Sequence, residues 1–292
     1  MEYIAGLPSI ISFVIAFIVL LIGSITDLKT REVPDWVNYG LIISGIGLNL
    51  LFSIILNDKS YIINSIVGLS IFFGIAYFMF YAGQWGGGDS KMLMGLGAMI
   101  GINFEGSQFL FGFLINALII GAFYGIFWSF YLALRDKKAF TKELKRILSK
   151  QNVMEWKKVI LTGCAIALIS SFFIGIVYVR IAILSVAFMV LTTFYVWIFV
   201  KSIEKSSMYR LVEPYKLTEG DWIVKDVYIG KTRITGPKDL GIEKKNIKIL
   251  IEAYKKRKIG KILIKEGIPF VPSFFIAYIL TFIIGNPIWL LF

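Results

Sequence analysis

The chain has 292 residues, 57% hydrophobic and 17% charged, with a formal net charge of +12; soluble domains run about 45–50% apolar and about 25% charged. Together with a mean hydropathy of +0.76 and uncharged apolar stretches that recur from end to end, this excludes a soluble enzyme. One cysteine and no histidine exclude intramolecular disulfides, cysteine-rich zinc folds and any serine–histidine or cysteine–histidine hydrolase.

The hydropathy pattern predicts eight spans, at about 7–25, 36–56, 62–83, 88–104, 106–134, 159–179, 181–200 and 267–292. The first does not read as a cleaved signal peptide, because only Glu2 precedes it and no basic segment leads into it. The fourth is short: its 13 uncharged residues, Met92 to Phe104, make about 20 Å of helix. It approaches bilayer thickness only if it starts near Gly88, which places Asp89 at the membrane boundary or just inside it. Arg180 reads as a short turn between the sixth and seventh spans.

Charge orients the spans. Of 31 lysines and arginines, 26 lie in two segments, 135–158 and 201–267. With the N-terminus outside, 29 of the 31 face the cytoplasm, leaving Lys59 and Arg180, as the positive-inside rule expects. A basic total could also signal nucleic acid, but this distribution fits cytoplasmic loops better. Residues 201–266 form a basic extension. Patches at Trp222–Val224 and Asp226–Ile229, broken by Gly220, Gly230 and Gly236-Pro237, read as short strands and turns. Between Gly241 and Lys258 the apolar residues follow helical spacing. That helix could pack in a small α+β domain or lie on anionic lipid; packing is expected, because the strands need something to cover them. The expected fold is an all-α polytopic membrane protein of about eight transmembrane helices with a small cytoplasmic α+β extension.

Two acids stand out by position. Asp27 ends the first span and Asp89 opens the fourth. Two crossings separate them, so they share a membrane face, and an ionisable group at such a depth is costly unless paired or functional. Two carboxyl groups in one site cannot both ionise cheaply, so they hold one proton between them. The ionised member can activate water while the protonated one donates to a scissile carbonyl. The preceding Gly86-Gly87-Gly88 suits positive φ or close approach of an extended peptide; on its own it also reads as an ordinary turn.

Three blocks together resemble the type IV prepilin peptidases and archaeal preflagellin peptidases, membrane aspartic proteases of the G-x-G-D class. They are Asp27 followed by Val33-Pro34-Asp35, then Gly86-x-Gly88-Asp89-x-Lys91, then Gly267-Ile268-Pro269-Phe270-Val271-Pro272, where Val271 replaces the family's glycine. The resemblance implies Asp27 and Asp89 as the catalytic pair, with Gly86, Gly88 and Lys91 in the supporting loop. It implies a leader-cleaving endopeptidase acting at the cytoplasmic membrane face on pilin-like or archaellin precursors that carry a basic leader and a hydrophobic helix. Glu32 and Asp35, with Glu219 and Asp221 in the extension, are candidates to receive the leader's lysines; loop charges paired with Lys29 and Arg31 are the plain alternative. The family's paired C-x-x-C domain cannot form with one cysteine, so an archaeal-type peptidase without N-methyltransferase activity is expected. No metal, nucleotide or redox cofactor and no nucleic-acid partner is implied; membrane lipid is.

The expected organisation is a catalytic transmembrane domain at 1–200, the cytoplasmic extension at 201–266 and a final span at 267–292, with both termini outside the cell membrane. The main rival is an ion- or proton-coupled transporter using the carboxylate pair, although both acids fall in the first third of the chain without a counterpart later. A presenilin-like protease and a membrane scaffold are further rivals.

Overall fold

The computed structural model describes residues 6–102 and 109–287. Helices α1 (Leu7–Thr30), α2 (Asp35–Ile55), α3 (Ser60–Tyr81), α4 (Gly87–Ile100) and α5 (Phe109–Arg135) come first. Helices α6 (Lys137–Leu148), α7 (Gln151–Phe173) and α8 (Val177–Ile203) follow, and α8 passes through a π-helical turn at Glu204–Met208 into the extension. The extension holds β1 (Tyr209–Val212), β2 (Trp222–Ile223), β3 (Val227–Ile229), β4 (Thr232–Thr235), α9 (Lys244–Lys255) and β5 (Ile262–Lys265); α10 (Val271–Ile284) returns to the bundle.

Among the described residues, six helices are long and apolar enough to cross a membrane: α1, α2, α3, α5, α7 and α8 with its π-helical turn. The expected fourth and eighth spans appear as α4 and α10, of 14 residues each, about 21 Å of helix. The end of the fourth, the start of the fifth and the end of the eighth lie outside the described residues. The boundary between the sixth and seventh spans differs from expectation. Helix α7 starts at Gln151 and stops at Phe173, so Arg180 lies inside α8, where its guanidinium donates to the Ile174 carbonyl at 2.8 Å. A lone arginine closing its own helix start looks like a turn to a charge count.

Helix α4 is the centre of a tight bundle. Met92, Leu93, Leu96 and Met99 are fully buried. A Cβ on Gly45 of α2 would come within 2.7 Å of the Met99 amide, so glycine brings the two backbones together. Polar side chains bind across the contact: Asn49 Nδ2 donates to the Gly45, Ala98 and Met99 carbonyls, and Ser65 Oγ donates to the Ala98 carbonyl at 2.6 Å. Small residues with interhelical hydrogen bonds are how helices associate where the hydrophobic effect cannot drive them. Helix α10 packs on α1 and α5 through Phe13, Phe113, Phe274 and Tyr278, whose hydroxyl donates to the Phe13 carbonyl at 2.8 Å.

In the extension, β5 lies between β1 and β2, antiparallel to both, with Tyr209 and Trp222 each opposite Lys265. Strands β3 and β4 form a hairpin. Leu250 of α9 is buried with Ile223, Ile262 and Ile264, so this helix packs on the sheet. Strands β2 and β3 fall within the two apolar patches of the sequence; β1, β4 and β5, of four residues each, were not expected.

Candidate active site

Asp27 lies one turn from the end of α1 and is buried. That end is set by Arg31, whose left-handed backbone (φ 64°) turns its N–H back to the Asp27 carbonyl at 2.9 Å. Val33-Pro34 then holds the chain extended before α2 begins. Asp27 Oδ2 accepts the Val271 N–H at 3.0 Å. Val271 is the first residue of α10, and Pro272 follows it at the next position. The amides at a helix start have no partner within the helix and bear partial positive charge. The flanking Pro269 and Pro272 supply no N–H, so the amides of Phe270 and Val271 are the donors offered to Asp27 there. The Pro269/Pro272 pair thus shapes the helix entry.

Asp89 sits in the first turn of α4, and its Oδ2 accepts the Gly86 N–H at 2.9 Å, capping its own helix. The backbone at Gly86 is extended (φ −73°), and none of Gly86, Gly87 and Gly88 has positive φ. The left-handed residue in this loop is Gly83 instead (φ 67°). Helices α1 and α4 meet antiparallel at a close point: a Cβ on Gly23 would lie 2.6 Å from Met92 Cε. Asp27 is four residues beyond Gly23 and Asp89 three before Met92, so both acids lie one turn from that contact on the facing sides. The two carboxyl groups are within electrostatic reach of each other.

Lys91 pairs with Asp35 Oδ1 at 2.6 Å, and its ammonium lies 5.0 Å from the Tyr39 ring centre. This ion pair ties the start of α2 to the start of α4, so the Asp35 carboxylate is already engaged. Glu32 is exposed. Glu219 pairs with Lys244 at 2.9 Å. Asp221 accepts the Thr218 N–H at 2.8 Å; burial pushes its carboxyl above the usual range, and the charges of Glu32 and Glu266 push the same way. The extension therefore stands beside the first loop. It also touches the second: a Cβ on Gly83 would be in van der Waals contact with the Trp222 ring, at 3.4 Å.

Sequence reasoning gave Arg31, Trp128 and Tyr124 no place in the surroundings of Asp27. Arg31 donates from its guanidinium to the Gly267 carbonyl at 2.8 Å and lies 5.2 Å from the Trp128 ring centre. Trp128 stacks on Tyr124 at 5.7 Å, and Tyr124 is within electrostatic reach of Asp27 and Arg31. Spaced four apart in an aromatic-rich span, Tyr124 and Trp128 carry no signal that separates them from lipid-facing rings. Among the described residues no three of His, Cys, Asp and Glu cluster as metal ligands would.

Residues 14–126 match the model of the Type IV leader peptidase family. Over 90 residues, 31% of this chain, the sequence is 48% identical to the preflagellin peptidase of Methanocaldococcus jannaschii, of which 38% is covered. It is 42% identical to that of Methanococcus maripaludis and 41% to that of Methanococcus voltae, over 39% and 38% of those proteins. The matches thus span about two-fifths of these relatives' length. No solved structure matches. Both aspartates lie within residues 14–126, the segment similar to the Type IV leader peptidase family.

Proposed function

We propose that the chain is a membrane aspartic endopeptidase that removes the leader from preflagellin-like or pilin-like precursors at the cytoplasmic face. The observation that carries this reading is that Asp27 and Asp89, on antiparallel helices at one end of the bundle, lie within electrostatic reach of each other and are each held by a backbone amide. The ionised carboxylate takes a proton from water as its oxygen attacks the scissile carbonyl, and the protonated partner donates to the carbonyl oxygen. Collapse of the tetrahedral intermediate breaks the C–N bond, with a proton passing to the departing amine.

The matched relatives are named preflagellin peptidases, which supports a precursor of that class; nothing in the comparisons favours the transporter. The charge distribution supports an arrangement of eight crossings, α4 and α10 included, with both termini outside and 201–266 cytoplasmic. In it Gly86, Gly88 and Lys91 shape the loop that carries Asp89, while Glu32 and Asp221 face the leader's basic residues. The absence of a second cysteine supports cleavage without N-methylation. Incubating membranes that contain the chain with candidate precursors tests the reading. Wild type is expected to convert a precursor to a faster-migrating product and Asp89→Asn to leave it intact; equal behaviour of the two overturns the assignment.

A further inference from the structure

On α5, Gly121, Tyr124 and Trp128 share one face, three and four residues apart. At one end of that face the Phe270 ring occupies the space above Gly121, and Phe270 precedes the amide that Asp27 Oδ2 accepts. At the other end Arg31 covers Trp128, and the Arg31 N–H is held by the Asp27 carbonyl. Tyr124 lies between these contacts, one made by a residue bonded to Asp27 and the other by the neighbour of one. Its hydroxyl is buried and has no hydrogen-bond partner among the described residues, and the same is true of Trp128 Nε1.

Buried polar groups are rarely left unpaired, because the lost hydration is then not replaced. Trp Nε1–H can only donate and Tyr O–H donates readily, so acceptors are missing from this wall. An extended peptide presents a carbonyl oxygen at every residue, which is the acceptor the wall lacks. Resting on the peptidase reading above, we propose that the Tyr124 hydroxyl donates to a backbone carbonyl of the precursor lying against Asp27. It is a positioning residue for the scissile segment, with Trp128 Nε1 beside it. A hydrogen bond of this kind is formed in the bound substrate and kept in the transition state, so its loss raises KM and leaves kcat nearly unchanged.

The test uses the full-length chain in membranes or lipid nanodiscs. Tyr124→Phe removes only the hydroxyl, and Tyr195→Phe, on the exposed side of α8, serves as the control. Tyr124→Phe is expected to raise KM about tenfold with kcat within about twofold, at an unchanged unfolding midpoint; Tyr195→Phe should match wild type. In a second measurement, intact precursor should bind about tenfold more weakly to the Asp89→Asn, Tyr124→Phe double variant than to Asp89→Asn alone. An unchanged KM and binding constant in an active enzyme overturn the role of Tyr124 and leave the peptidase reading standing. A wild type that cleaves no precursor overturns both.

Discussion

The bundle around α4 and the hairpin of α7 and α8 are both apolar, yet they are built differently. In the first, glycines bring backbones into contact and Asn49 and Ser65 bind carbonyls of the neighbouring helix. In the second, Gly163 has nothing within 4 Å of where a Cβ would sit, and large residues such as Phe172, Phe173 and Tyr178 are exposed. Inside a bilayer apolarity alone fixes no position, since lipid tails are as apolar as leucine. Steric intimacy between backbones does, and it is in the glycine-lined bundle that the two acids come within electrostatic reach of each other. The hairpin supplies crossings and a stem for the extension.

The largest effect that can break this contrast is catalytic. Asp27→Asn and Asp89→Asn are each expected to reduce precursor cleavage on the order of a thousandfold or more, whereas replacing polar groups of α7 should not; a mobility-shift assay reads both. Next comes packing. Gly45→Val forces a side chain into the Met99 backbone and should cost about 1–3 kcal/mol or more, lowering the unfolding midpoint in detergent; Gly163→Val should leave it unchanged. A smaller effect is expected at the entrance, where Glu32→Ala should raise KM for a basic-leader precursor more than it lowers kcat, and a precursor with a neutral leader should not distinguish the two proteins. The smallest concerns the extension. Asp221 is held above its ordinary value of 3.8 chiefly by burial, so ionising it costs the folded state more than the unfolded one. Stability is therefore lost as pH rises through the folded value. Asp221→Asn should raise the unfolding midpoint at neutral pH, and the gain should vanish below about pH 3.8.

Much of the site was legible because its chemistry is expensive in a membrane. Asp27 and Asp89 stand at the ends of apolar runs, where an unexplained acid is conspicuous, and the Val33-Pro34 and Pro269–Pro272 steps announce helix entries. Three features were hidden. The glycine triplet before Asp89 suggested positive φ, but the chain reverses at Gly83 and spends its flexibility earlier. The basic stretch at 135–158 read as a loop; α6 forms there because Leu144, Ile147 and Leu148 find Val153, Phe194 and Ile198, contacts made only once α7 and α8 are in place. The reach of Tyr124 toward Asp27 depends on which side of α5 meets α10, and hydropathy does not reveal which face of a uniformly apolar helix turns inward.

The join between β5 and α10 has a mechanical consequence. From Lys265, in the middle of the sheet, to Val271, whose amide Asp27 holds, is six residues, about 20 Å even if pulled taut. The chain is gripped on the way: the Glu266 amide bonds the Met208 carbonyl, and Arg31 anchors Gly267. Such a leash is too short to let the sheet swing free while the carboxylate stays put. Displacing the sheet would therefore strain the short run between Lys265 and the amide that Asp27 accepts.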